Sequence, residues 1–320
     1  MLITNIYTNT KIIKNLIKLG LSLSLCLFLS LLILVNIVIA NENKYDPLKM
    51  IRLPKHKSVP GGIAIIPLDL NTIDIPKVFF NNQQILVINY NNSKSERDLI
   101  AHKDWIAIVG IPMETKPGLH KISIFLNQNQ IEGSKFEDYI EKSFLVTNHK
   151  YPTERLKLLK KFTNPSYAEQ LRINQDQQLI KKAYEYRSVL IPNLGLFKPV
   201  EGRKTSPFGL KRILNGKHKG FHSGLDLAAA IGTKVMAASY GRVILIGNFF
   251  YTGNSVFIDH GQGLITSYAH LNSIQVKEGD LVNNKTVIGN VGMTGRSTGP
   301  HLHWSVSINN VRVNPELFLD

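Results

Sequence analysis

The stretch Gly299-Pro300-His301-Leu302-His303-Trp304-Ser305-Val306 sets two histidines one residue apart at the head of an alternating apolar run. Side chains alternate across a strand with a period of two, so His301, His303 and Ser305 share one face and Leu302, Trp304 and Val306 the other. One face of such a strand packs, and the other is available for chemistry. Imidazole is the commonest metal ligand and titrates near neutral pH. The rest of the chain is therefore read for what completes a site around this pair.

Working outward, residues 201–320 hold β-branched runs at 243–246, 255–258, 264–268, 286–291 and 302–308, punctuated by glycines at 241, 247, 253, 261, 263, 279, 289 and 292. This is the pattern of an antiparallel sheet with tight turns. Six of the ten histidines fall between 218 and 303. In His222-Ser223-Gly224-Leu225-Asp226 the histidine and carboxylate are four apart, hence on one face of an extended segment. With His303 they make two imidazoles and a carboxylate, enough for a catalytic zinc that keeps a fourth position open to water. A closed structural site would take a further ligand, usually thiolate, and the single cysteine, Cys26, lies in an apolar run near the N-terminus. Zinc lowers the pKa of its bound water to about 7 and polarises a carbonyl, which is what amide hydrolysis requires. A proton acceptor must stand within reach of that water. His301 and His270, the latter in Ser267-Tyr268-Ala269-His270-Leu271, are the candidates: one to take the proton, the other to hydrogen-bond the developing oxyanion or the leaving amine.

The series Ser206-Pro207-Phe208-Gly209, His222-x-Gly224-x-Asp226, Gly253-Asn254, His260-Gly261-x-Gly263, Tyr268-Ala269-His270-Leu271, Gly279-Asp280, Thr294-Gly295 and Gly299-Pro300-His301-Leu302-His303 resembles the LytM/lysostaphin family of zinc metallopeptidases, over residues 201–318. The resemblance implies an antiparallel β-sheet with a groove. It implies His222, Asp226 and His303 as Zn2+ ligands, His270 and His301 as catalytic histidines, and the peptide part of peptidoglycan as substrate. Similarity to exported Gram-negative members favours direct cross-links between D-alanine and a diamino acid over glycine bridges. Other residues read more plainly. Ser223 lacks a nucleophile-elbow pattern, His260 in Asp259-His260-Gly261 reads as a turn residue, and Arg203 and Arg212 are candidates to contact an acidic peptide stem.

The expected fold is mainly β. Residues 45–149 read as six or seven short strands, at 63–70, 78–80, 85–90, 105–111, 119–126 and 142–147, and predict a small β-sandwich-like domain. Residues 150–200 read as a helical linker, with Ser166 and Glu169 as a capping box and Leu171, Leu179 and Ala183 as its apolar positions. The linker either connects the β regions or lies across the groove. Residues 201–320 are expected, by the resemblance, to form the metallopeptidase domain. Residues 1–40, with Lys11, Lys14 and Lys18 ahead of an uncharged segment at 19–39, read as a signal peptide or a membrane anchor. Both readings export the remainder to the periplasm or cell envelope.

The formal charge of +15 favours polyanionic surroundings. Nucleic acid is excluded as a partner by export and by the lack of stacking or helix-turn-helix patterns. The expectation is an exported zinc endopeptidase that cleaves peptidoglycan cross-links by attack of a metal-bound water, associated with the inner membrane through residues 19–39 and open to a regulatory protein partner. The alternative is a catalytically inactive relative that binds cell wall or activates an amidase.

Overall fold

The computed structural model describes residues 52–70, 72, 74–89, 105–125, 139–157 and 159–319. The segment at 19–39 lies outside them. Among the described residues no helix is long and apolar enough to cross a membrane.

The front of the described chain carries strands β1 (Ile63–Pro67), β2 (Lys77–Phe80), β3 (Gln83–Gln84), β4 (Leu86–Asn89), β5 (Trp105–Gly110), β6 (Gly118–Phe125) and β7 (Tyr139–Val146). They form two antiparallel sheets, ordered β1-β5-β4 and β3-β2-β6-β7. Ala64, Ile66, Val87, Ala107 and Val109 of the first sheet share one cluster with Val78, Phe80, Ile122, Ile124 and Phe144 of the second. This is the predicted sandwich.

The other face of β1-β5-β4 is also buried. Ile63, Leu86, Ile88, Ile106 and Ile108 belong to the core that holds Tyr268, Leu302, Trp304 and Val306. A sheet covered on both sides reads as a continuous apolar run rather than an alternating one, and Leu86-Val87-Ile88 and Ile106-Ala107-Ile108-Val109 are such runs.

After β8 (Thr153–Leu156) the chain forms helix α1 (Tyr167–Glu185) and then β9 (Arg203–Ser206), β10 (Lys211–Leu214), β11 (Lys217–Phe221), β12 (Leu225–Ala228), β13 (Lys234–Met236), β14 (Gly241–Phe249), β15 (Gly253–Gly261), β16 (Leu264–Ile274), β17 (Leu281–Val282), β18 (Val287–Val291), β19 (His301–Ile308) and β20 (Val311–Val313). The principal sheet has ten strands, with β17-β14-β15-β16-β19-β12-β9 as its path and antiparallel pairing throughout.

The region expected to be a helical linker departs from that reading at 153–156. Those residues pair in parallel with β10, because tertiary pairing overrides the local helical bias of Thr-Glu-Arg-Leu. The capping box is present: the Glu169 amide donates to Ser166 Oγ at 3.3 Å and the Ser166 amide to Glu169 Oε2 at 2.8 Å. The buried residues of α1 are Ile173, Ala183 and Tyr184, whereas Leu171 and Leu179 are exposed. Only a narrow stripe of the helix packs. It lies on the face of the sheet opposite the main core, where Tyr184 packs with Phe249, Phe257 and Ile265 and its hydroxyl stands 2.8 Å from Ser267 Oγ. By strand parity this is also the face of Ser305, His303 and His301, so α1 covers one end of the face whose other end carries the histidines.

His260, expected as a turn residue, is instead buried at the end of β15. Its Nδ1–H donates to the Tyr240 carbonyl at 2.6 Å, and Thr266 Oγ1 stands 2.7 Å from Nε2. Burial pushes its pKa from the ordinary 6.5 down to about 4. The fold therefore favours neutral His260, and its contribution to stability, of the order of a few kcal/mol, is complete above pH 6.5 and lost as pH falls towards 4. Thermal unfolding followed from pH 7 to pH 4 is expected to show this loss, with a shallower slope in His260→Gln. Ile108 faces the shared core with no exposure, so Ile108→Ala is expected to cost about 2–5 kcal/mol. In a denaturant titration the unfolding of the C-terminal sheet should shift together with that of β5.

Candidate metal centre

Strand pairing delivers the site residues. Asp226 on β12 is the direct register partner of His303 on β19, and Ala269, the residue before His270 on β16, pairs with His303 from the other side. The central strand is held by Leu302 and Trp304, both fully buried beneath. His222 arrives differently from the expected same-face spacing. It follows β11, and the chain turns through Ser223 and Gly224 before β12 begins. The turn brings His222 back over Asp226.

His222 Nε2 stands 3.0 Å from Asp226 Oδ1 and 3.0 Å from His303 Nδ1, and His303 Nδ1 stands 2.7 Å from the same carboxylate oxygen. The outer nitrogen of each ring is already engaged. His222 Nδ1–H donates to the Pro207 carbonyl at 2.8 Å, and His303 Nε2 stands 3.0 Å from Ser305 Oγ. With those nitrogens carrying the ring protons, two imidazole lone pairs and a carboxylate oxygen converge on one point. Such an arrangement is repulsive by itself and suits a cation, as the outer hydrogen bonds of metal-binding histidines ordinarily arrange. These three residues form a group able to hold a metal ion.

Burial alone would raise the Asp226 carboxyl. When His222 and His303 carry a proton on their inward nitrogens, their hydrogen bonds and charge outweigh it and hold the group well below the usual carboxylate range. Burial pushes His303 down to about 4 against the pull of Asp226. The second oxygen, Asp226 Oδ2, accepts from Arg212 Nη2 at 3.2 Å, and Arg212 Nε donates to Glu154 on β8 at 3.2 Å. Arg212 is thus an anchor of the site carboxylate, not the free stem contact expected of it. Arg203 stands exposed on β9.

His270 and His301 line the same pocket, with ring centroids 4.8 Å apart, and His301 Nε2 is 3.8 Å from Asp226 Oδ1. Each donates its Nδ1–H to a backbone carbonyl at 2.8 Å, His270 to Thr294 and His301 to Gly299. In the neutral state both therefore present a bare Nε2. Burial, reinforced by His303 and His301, pushes His270 down to about 3. Its backbone is left-handed, with φ at +63°, a conformation uncommon outside glycine that is held where surrounding structure imposes it. Leu156, Leu214, Arg296, Ser297 and Thr298 complete the pocket wall. Arg296 escaped the sequence reading, although it stands in Thr294-Gly295-Arg296-Ser297, directly before the histidine pair.

Gly224 makes the close approach possible. A Cβ there would lie 2.6 Å from Ser305 Oγ, 2.6 Å from the Trp304 carbonyl oxygen and 2.7 Å from His303 Cε1. Gly224→Ala is therefore expected to displace His303 and lower metal affinity by roughly 10–100-fold. Metal content after dialysis against a graded chelator checks this.

The stretch that carries these residues resembles known proteins. Residues 220–315 match the profile described as Peptidase family M23, and residues 56–134 that of the Peptidase family M23 N-terminal domain. The chain is 45% identical over 115 residues to the DD-carboxypeptidase/endopeptidase Mpg of Neisseria meningitidis, covering 35% of this chain and 26% of that protein. It is 44% identical over 93 residues to the peptidoglycan DD-endopeptidase ShyA of Vibrio cholerae, covering 29% of this chain and 22% of that protein. These matches thus span about a quarter of the length of the curated relatives. The crystal structure of a Pseudomonas aeruginosa protein assigned to peptidase M23 superposes with a TM-score of 0.66 at 36% identity, covering 82% of this chain and 95% of that one. Likeness over so much of both chains, N-terminal region included, shows that this chain belongs to peptidase family M23.

Proposed function

We propose that the protein is an exported zinc endopeptidase that hydrolyses the direct peptide cross-links of peptidoglycan. The observation that carries the reading is the convergence of His222 Nε2, Asp226 Oδ1 and His303 Nδ1 beside two further imidazoles in one pocket. His222, Asp226 and His303 hold Zn2+ in this proposal. Three protein ligands leave a position open, as in catalytic rather than structural zinc sites. Bound there, the ion supplies a Lewis acid for the scissile carbonyl and lowers the pKa of a coordinated water.

The remaining chemistry falls to the protein. His301, whose Nε2 stands 3.8 Å from Asp226 Oδ1, takes the proton of the attacking water and passes it to the leaving amine. His270 is held neutral with its Nδ1–H committed to Thr294, so its Nε2 receives a hydrogen bond from water or a substrate N–H rather than donating one to an oxyanion. Arg212 keeps Asp226 Oδ2 occupied, which leaves Oδ1 as the ligand atom. An inactive relative is not supported, because all five residues are present and assembled. Relatives named as peptidoglycan endopeptidases support the choice of substrate.

Residues 19–39 direct export in this proposal and serve as a signal or as an inner-membrane anchor, which places the enzyme in the periplasm. A regulatory partner would act on β8, since that strand contributes Leu156 to the pocket wall and Glu154 to the Arg212 anchor.

Digestion of purified cross-linked muropeptides, followed by mass spectrometry with and without chelator, tests the reading. Cross-linked dimers are expected to become monomers only in the metal-loaded protein. His303→Ala is expected to lose both zinc and activity. His301→Ala and His270→Ala should keep zinc while kcat falls by roughly 10²–10⁴-fold. Full activity in His303→Ala overturns the proposal.

A further inference from the structure

Two arginines, Arg212 and Arg296, line the pocket, and their circumstances differ. Arg212 is spoken for, between Glu154 and Asp226. Arg296 follows Thr294 and Gly295, whose neighbourhood is tightly held: the Thr294 carbonyl accepts a hydrogen bond from His270 Nδ1–H, and the Arg296 amide donates to the Tyr251 carbonyl at 2.8 Å. The Arg296 guanidinium lies over the Tyr251 ring, 4.5 Å from its centroid. Burial and the nearby Arg212 both disfavour its charge, and only the Tyr251 ring hydroxyl acts in the opposite sense. No carboxylate among the described residues forms an ion pair with it. Guanidinium nevertheless remains protonated in proteins, so Arg296 is a charged, partly desolvated, planar donor without an acidic partner among the described residues, stacked on an aromatic ring beside the pocket it lines.

Desolvated charges are ordinarily paired, and a stacked guanidinium is suited to bidentate recognition of a carboxylate. The proposed substrate offers a carboxylate at the right position. When the leaving amine belongs to the D-centre of a diaminodicarboxylic acid, the carbon bearing the scissile nitrogen also bears a free carboxylate. A glycine bridge has no anion beside its internal amides. Resting on the endopeptidase reading above, we infer that Arg296 is a substrate-binding residue that pairs with the carboxylate adjacent to the scissile amide and so selects direct diamino-acid cross-links. Tyr251 supports it from behind by stacking, and Arg212 is excluded from the same role by its existing partners.

The test uses the zinc-loaded full chain and two cross-linked muropeptide dimers that differ only at the acceptor carboxylate, free in one and amidated in the other. The wild type is expected to favour the free acid by about 10–100-fold in kcat/KM, the range a charge-assisted pair supports. In Arg296→Gln that ratio should collapse to near one, and in Arg296→Lys it should recover in part. Equal cleavage of both dimers by the wild type overturns the inference while leaving the endopeptidase reading intact, and so does an Arg296→Gln protein that keeps the preference. Cleavage of neither dimer by the wild type removes the underlying reading and this inference with it. Because each protein is read by the ratio of its own two rates, an inactive fraction lowers both rates equally and leaves the ratio interpretable.

Discussion

Strand β19 has to satisfy two demands at once, and the rest of the structure follows from how it does so. Leu302, Trp304 and Val306 face the main core without exposure, while His301 and His303 face the opposite side and line a pocket. A strand cannot slip by one residue without exchanging these two sets. Burial of a tryptophan and two aliphatic side chains therefore sets the histidine register. Flanking pairs with β12 and β16 then bring Asp226 and the end of β16 to the same height. The front sheet adds to the same constraint from below, since Ile63, Leu86, Ile88, Ile106 and Ile108 close the core on which β19 rests.

On the site face, precision comes from polar rather than apolar contacts. All four imidazoles use one nitrogen outward, to Pro207, Thr294, Gly299 or Ser305, and leave the other for chemistry. Three of those partners are backbone carbonyls, which turns and strand ends supply wherever the ladder leaves an acceptor unused. The carboxylate is treated in the same way, with one oxygen tied to Arg212 and the other turned to the metal position. Each group is thereby limited to one function before any ligand arrives, which is how a site avoids reorganisation during reaction.

Much of this was legible in the chain. The alternation through 301–306, the glycine-punctuated strands, the capping box at Ser166 and the five site residues are local or motif-level signals, and strand parity translates them into faces. The misread elements share a cause. Residues 153–156 looked helical because their partner, β10, lies more than fifty residues on. His260 looked like a turn residue because glycine follows it, yet Tyr240 and Thr266 reach it from elsewhere in the chain. Arg212 looked free because nothing near it in sequence announces Glu154 or Asp226.

By itself the sequence determined the β architecture, the sidedness of β19 and the chemical kinds of group in the site, because these depend on periodicity and residue type. Tertiary structure alone decided how His222 returns over Asp226, on which face α1 lies, that the front sheet shares the main core, and which of two arginines is tied to Glu154 and Asp226. Those outcomes rest on contacts between residues distant in the chain, where side-chain pairing and the supply of backbone acceptors are settled only once the strands have met.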